Sequence, residues 1–259
     1  MTGRHDPERP RYEHKYVAPH SSAQALLRDL EEAMEPDPES GREGYQVRSL
    51  YFDTLDRAAY FEKLDGVDPR HKVRLRIYGD PAGAPRASFL EVKHRAGPLI
   101  FKDRVALPGA AVEELVEGGP FAPDLAALSP IATGAPVAPG RARLERILAS
   151  EARTPACTVG YRRVAYMTRL DPSLRLTVDV DLRAAGPSAM LRPAADGGVL
   201  FLPAELCVLE LKFHWATPPW LVSLFRAHGL VQRRYSKYAS AMEALYPGGA
   251  HREVRRGAL

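Results

Sequence analysis

Eight stretches of the chain alternate apolar and polar residues with a period of two: Arg11 to Val17, Tyr45 to Asp53, His71 to Gly79, Ala87 to Arg95, Leu99 to Leu107, Cys157 to Thr168, Leu174 to Leu182 and Glu205 to His214. Each is rich in Val, Ile, Leu, Tyr or Phe, side chains that fit a pleated surface, so each predicts a β-strand. Ala96, Gly97 and Pro98 separate the fourth stretch from the fifth and predict a tight hairpin; Asp171 and Pro172 do the same between the sixth and seventh. Eight strands joined in this way are enough to close an antiparallel barrel.

Helical patterns occupy the gaps. Ser21 and Ser22 can cap a helix carrying Leu26, Leu27 and Leu30; Pro218 and Pro219 open WLVSLFRAHG, with Gly229 as its stop; Ser236 opens KYASAMEALY. Within YFDT, Asp53 or Thr54 ends a strand and caps the helix that follows. The segment from Pro108 to Thr154, rich in Ala, Pro, Glu and Leu, predicts two or three short helices outside the barrel. The expected fold class is α+β, mainly antiparallel β: an eight-stranded closed barrel with helices packed outside. A single domain is expected over residues 11-246, with a flexible N-terminus at 1-10, a basic flexible tail at 247-259 and a flexible loop from Ala184 to Gly198.

The polar positions of these strands are largely charged. Residues i and i+2 of a strand point to one side. Arg11, Glu13 and Lys15 therefore share a face, as do Lys72, Arg74 and Arg76, and Glu91, Lys93 and Arg95. Lys102 with Arg104, Arg175 with Asp179 and Asp181, and Glu210 with Lys212 repeat the pattern, and Arg163 lies on the strand bearing Tyr161 and Ala165. Two readings compete. Either these are solvent faces of ordinary sheets, or the bulky neighbours (Phe89, Leu90 and Val92; Val208, Leu209, Leu211 and Phe213) pack against outer helices and the charges face a lumen.

A lumen of roughly ten cations repels itself by about 4 kcal/mol per close pair at intermediate dielectric, and a chain of phosphates relieves it. Arg offers a planar fork to phosphate oxygens and Lys a compact point charge. The interspersed carboxylates cannot bind phosphate directly but can hold Mn2+ or Mg2+, which bridges phosphate oxygens. Tyr235 and Ser236 precede Lys237 at a helix start, where backbone amides also favour an anion.

In order along the chain, RYEHKY, SLYFDT followed by Tyr60, Lys63 and Gly66, KVRLRIYG, LEVKH, FKDR, YRRVAY, RLTVDVDL, VLELKF and YSKY resemble the successive motifs of the VTC domain. That family is the polyphosphate polymerase branch of the CYTH, or triphosphate tunnel, metalloenzymes. The resemblance implies an eight-stranded tunnel, transfer of the γ-phosphate of ATP to a growing inorganic polyphosphate chain, and Mn2+ or Mg2+ as cofactor. It implies that Lys15, Arg74, Arg76, Lys93, Lys102, Arg163, Arg175 and Lys237 hold the phosphates of nucleotide and product. Arg104, Lys212 and Ser236 complete the substrate-binding set. Glu210 is implied as the main metal ligand, with Glu13, Glu91, Asp179 and Asp181 as further candidates. His14 stands where other tunnel enzymes have a more acidic pattern, which leaves metal number open. The alternatives are a triphosphatase or polyphosphatase acting on the same substrates, and a non-catalytic module that binds polyphosphate or inositol phosphates.

Composition narrows the partners. Across 259 residues, 36 Lys and Arg stand against 32 Asp and Glu, a net +4 that favours an anion without naming it. Inward charges in a closed barrel cannot meet a duplex, so no nucleic acid is expected. MTGRHDPERP lacks an apolar signal core, and no 18 uninterrupted apolar residues occur. The expectation is a cytoplasmic protein without direct membrane insertion, a separate membrane partner being left open; the sequence sets no oligomeric state. Cys157 and Cys207 lie in apolar strand-like runs and read as buried reduced thiols. No paired metal-binding spacing joins the eight histidines, so His14, His71 and His94 read as surface or structural, and Trp215 and Trp220 are expected to pack the barrel's exterior.

Overall fold

The computed structural model describes residues 10–117, 139–169, 171, 173–191 and 197–247. Its strands are β1 (Arg11–Pro19), β2 (Met34–Pro36), β3 (Tyr45–Asp53), β4 (Arg70–Gly79), β5 (Pro85–Ala96), β6 (Leu99–Ala106), β7 (Thr154–Thr168), β8 (Arg175–Ala185), β9 (Val199–Leu200) and β10 (Leu206–Phe213). Neighbours run in the order β7-β3-β4-β5-β6-β1-β10-β8, and β8 pairs back onto β7, so eight strands close a barrel. The short strands β2 and β9 add to β7 and β8. All these pairs are antiparallel, as the hairpin signals predict. Gly97 and Pro98 form the β5–β6 loop, with Ala96 opposite Leu99; Gly97 takes φ +57°, the left-handed conformation a two-residue hairpin requires.

Apolar residues of the strands point outward and meet the helices. Leu75, Leu90 and Val92 pack with α3 (Gly109–Glu117) and α4 (Pro139–Ser150) through Val112, Leu115, Leu144 and Leu148. Leu176, Leu209 and Leu211 pack with Leu26 of α1 (His20–Asp29) and with Leu221 and Phe225 of α5 (Pro219–Ala227). The remaining wall, including Val159 and Leu182, meets Tyr238, Ala241 and Met242 of α6 (Lys237–Leu245). The hydrophobic core is thus a sleeve between barrel and helices. Each fully buried aliphatic side chain in it contributes roughly 1.5–3 kcal/mol.

Several boundaries differ from the sequence reading. Strand β8 continues past Leu182 to Ala185 because β7 pairs with Arg183, Ala184 and Ala185, and β9 with the first two. Ser21 and Ser22 do not cap α1: the helix starts at His20, after Pro19, without a side-chain cap. Ser236 does cap α6, accepting from Ala239 N at 3.3 Å. For α2 (Ala58–Asp65), Thr54 Oγ1 accepts from Ala58 N, while the two oxygens of Asp53 accept from Ala59 N and Tyr60 N. Trp215 and Trp220 are 78% and 49% exposed, so neither packs closely on the barrel wall. Cys157 and Cys207 are buried and free. Among the described residues of the 108–154 segment there are two helices, α3 and α4; residues 118–138 lie outside the described set, as do Pro172 and the terminal residues 1–9 and 248–259. The 184–198 loop contains a 3-10 turn, Pro187–Leu191, before residues 192–196, which also lie outside.

Candidate functional site

Alternation along β4, β5 and β6, fixed by their register, stacks the inward side chains in rows. Arg70 lies opposite Arg95; Lys72 opposite Lys93, itself opposite Lys102; Arg74 opposite Glu91, itself opposite Arg104; and Arg76 opposite Phe89. On the far wall Glu13 faces Lys212 and Lys15 faces Glu210 across β1 and β10, while Arg163 of β7 faces Asp179 of β8. Together they enclose a cavity of about 1430 Å³, lined by eighteen Lys and Arg side chains against five Asp and Glu. Of the two readings open at the sequence level, the charges face the lumen. Phe89 joins them there, opposite Arg76 and beneath the Arg104 guanidinium, whose Cζ is 4.6 Å from the ring centroid.

Cations hold the four carboxylates that the strands turn inward, Glu13, Glu91, Asp179 and Glu210. Glu91, fully buried, accepts from Arg74 Nε and NH2 at 3.0 and 2.7 Å and from Lys102 Nζ at 3.0 Å. Asp179, equally buried, accepts from Arg163 at 2.6 and 2.7 Å, and Lys237 Nζ lies 2.6 Å away. Glu210 gathers Lys237 at 2.7 Å, Lys212 at 2.9 Å and Arg163 at 3.3 Å. Glu13 pairs with Lys93 at 2.9 Å. Burial opposes ionisation of all four, yet the surrounding cations prevail and hold their pKa values below the ordinary carboxylate range.

The cations divide by partner. Arg76 donates to neutral oxygens, Ser49 Oγ at 3.1 Å and Tyr78 OH at 3.3 Å; burial resists ionisation of that tyrosine, but Arg76 brings its pKa down to about 8. Arg175 pairs with Asp37 at 2.5 Å at one end of the cavity. Burial lowers Lys72 and Lys93 to about 7, partly offset by Asp53 for the first and Glu13 for the second. Ser236 lines the cavity, but its hydroxyl oxygen already caps α6.

Among the expected site residues, Asp181 stands apart. Between the β7–β8 pairs Gly160–Arg183 and Arg162–Val180, two residues of β8 oppose one of β7. This bulge puts Asp181 at φ +55° and leaves it exposed, so it leaves the face that Asp179 occupies. No three His, Cys, Asp or Glu side chains converge as a metal site among the described residues. The lumen instead offers Glu13 and Glu210 with Lys15 between them, 3.3 and 3.5 Å from their Oε1 atoms, and Glu13 Oε1 is buried without a hydrogen bond. Such a pair fits an ion of the Mg2+ or Mn2+ kind that takes one or two carboxylates and completes its shell with water and substrate phosphates.

Structure adds groups that strand patterns leave unremarked. Tyr51, Tyr78 and Tyr161 line the cavity beside Arg74, Arg76 and Arg163, and Arg233 and Arg234 reach it from the segment before α6. Alternation could have found the tyrosines, which share the inward face. The two arginines lie outside any strand and carry no periodic signal.

Comparisons with known proteins agree with this architecture. The chain is 26% identical over 234 residues to vacuolar transporter chaperone complex subunit 4 of Trypanosoma brucei brucei, covering 78% of this chain and 29% of that protein. Its counterpart in Trypanosoma cruzi is 25% identical over 234 residues, with 78% and 28% covered. The chain thus spans less than a third of the length of these curated relatives. In fold it is similar to a candidate adenylate cyclase from Bacillus halodurans, with TM-score 0.51 and 12% identity over 89% of this chain and 96% of that one. A family model described as the VTC domain matches residues 10–246, and the chain belongs to that family.

Proposed function

We propose that this domain is a polyphosphate polymerase that transfers the γ-phosphate of ATP to a growing inorganic polyphosphate chain inside the barrel. The observation that carries the reading is the lumen's charge: cations far outnumber carboxylates, and the inward carboxylates are already held by lysine and arginine. An extended polyanion is the ligand that balances such a space. The subunit names of the curated relatives support a role within an assembly.

Phosphoryl transfer requires positioning and charge neutralisation rather than a covalent nucleophile. Arg74 and Arg76, fixed by Glu91, Tyr51, Ser49 and Tyr78, direct their guanidinium groups at the transferring oxygens. Lys15, Lys93, Lys102, Arg163, Lys212 and Lys237 line the path on either side, with Arg104 and Arg175 toward one end. The bond that breaks joins the γ-phosphorus to the β–γ bridging oxygen; the bond that forms joins it to a terminal oxygen of the acceptor chain, and ADP leaves. That oxygen is already ionised near neutral pH, so no general base is needed. Carboxylates with depressed pKa values are weak bases, which favours a phosphate acceptor over water. Glu210 and Glu13 would hold a divalent ion, which would supply further neutralisation of the phosphate oxygens.

The test is to incubate the purified protein with ATP and Mn2+ or Mg2+ and resolve the products. Long polyphosphate supports the reading. Free phosphate alone replaces polymerase with hydrolase, and no turnover leaves only a binding module.

A further inference from the structure

At the end of the lumen beside α2, two successive rows set like charges opposite one another: Arg70 opposite Arg95, with Ile100 next in that row, then Lys72 with Lys93 and Lys102. Like charges directly opposite on paired strands destabilise a sheet. In the inner row, Lys93 is offset by Glu13 and Lys102 by Glu91. Lys72 is not: its Nζ is buried, makes no hydrogen bond, and rests 4.5 Å from the centroid of the Tyr238 ring. The carboxylate nearest in its field, Asp53, already accepts from Thr54 N, Ala59 N, Tyr60 N and Tyr238 OH. In the outer row, Arg70 NH1 and Arg95 Nε donate to the backbone carbonyls of Val67 and Gly97. Asp68, at the same end, is taken up by Gly97 N.

A buried ammonium without a partner is costly to maintain unless a ligand completes it. We propose that Lys72, with Arg70 and Arg95, forms a second anion subsite at the α2 end of the lumen, which binds the phosphates of a linear polyphosphate lying beyond those held by Arg74 and Arg76. The step from the Arg74 row to the Lys72 row is two strand residues, about 6.6 Å. A tripolyphosphate centred on the arginines is held without the subsite; a longer chain engages both. The subsite thereby makes the lumen selective for chain length. This inference rests on the polyphosphate reading of the lumen.

The test measures binding alone. Wild type, Lys72→Met and Arg95→Ala are titrated calorimetrically with sodium tripolyphosphate and with inorganic polyphosphate of several tens of phosphates. Methionine keeps the length of the buried side chain, and Arg95 lies at the rim, so at least one variant retains the fold. The expected result is long-chain affinity weakened about tenfold in Lys72→Met and severalfold in Arg95→Ala, with tripolyphosphate affinity within about twofold of wild type. Equal weakening for both ligands, or unchanged long-chain affinity, overturns the subsite while leaving the polyphosphate reading in place. Failure of wild type to bind either ligand removes that reading and the subsite together.

Discussion

Arg74 grips Glu91 across the β4–β5 pair, its Nε and NH2 both donating to the same oxygen at 3.0 and 2.7 Å while Lys102 takes the other. Glu91 thus orients the guanidinium and offsets part of the local charge. It is fully buried and flanked by three cations, so its removal leaves those cations uncompensated in a low dielectric. Glu91→Gln is expected to destabilise the protein by about 3–5 kcal/mol, the usual cost of breaking a buried pair from one side. Urea denaturation measures it, and a loss below about 1 kcal/mol would show that the pair is not a structural one.

Arg76 is tied mainly to hydroxyl groups, Ser49 and Tyr78, and approaches Glu91 no closer than 3.7 Å. Its charge is therefore the more available of the two central arginines. Arg76→Ala is expected to lower kcat of ATP-dependent chain synthesis by about 100- to 1,000-fold, the range for removing one preorganised donor from a transition state. The thermal midpoint should stay near wild type, because no buried carboxylate depends on Arg76 alone. Wild-type kcat in a folded variant would remove Arg76 from the mechanism.

The eight strands and the closed antiparallel barrel were legible because period-two alternation and short Gly-Pro connections report local backbone geometry. Which way the charged face turned was not legible from any one strand. Lys72 alternates with Val73 in the same way whether the sheet is flat or closed, and only the return pairing of β8 onto β7 encloses the charges. Asp181 was misplaced because a bulge is a two-strand property: Tyr161 opposite both Asp181 and Leu182 breaks a period that either strand alone preserves. The pairing of carboxylates with cations was equally out of reach, since Asp179 and Lys237 meet only when α6 closes on the barrel wall.

Glu210 sits among Lys15, Lys212, Lys237 and Arg163, and its oxygens are shared among all four. Replacing it by Gln removes the proposed metal ligand, and with it a carboxylate that occupies cations on which phosphate would draw. The expected outcome is loss of Mn2+- or Mg2+-dependent turnover in Glu210→Gln, accompanied by unchanged or tighter polyphosphate binding in metal-free buffer. Turnover assays and calorimetry read the two separately. Parallel loss of turnover and of metal-free binding would mean that Glu210 positions the lysines instead.

Burial brings the pKa of Lys72 and Lys93 from 10.5 to about 7, against Asp53 on one side and Glu13 and Glu210 on the other, with Lys63, Arg70 and Lys15 adding to the depression of Lys72. The unfolded chain keeps both lysines protonated up to about pH 10.4, so between pH 7 and that value it binds protons that the ligand-free fold does not. The stability this contributes is fully present above the unfolded pKa and is lost as pH falls through about 7. Stability of the ligand-free protein should therefore gain up to about 1.4 kcal/mol per pH unit from each lysine between pH 7 and 9, and Lys72→Met should lower the slope by one such increment. Denaturation curves across that range test it. A bound phosphate chain reverses the sign by favouring the protonated ammonium: long-chain affinity should rise as pH falls from 8.5 to 7, with net proton uptake. Calorimetry in buffers of different ionisation enthalpy detects that uptake, and its absence in wild type would place both lysines in the charged state before any ligand arrives.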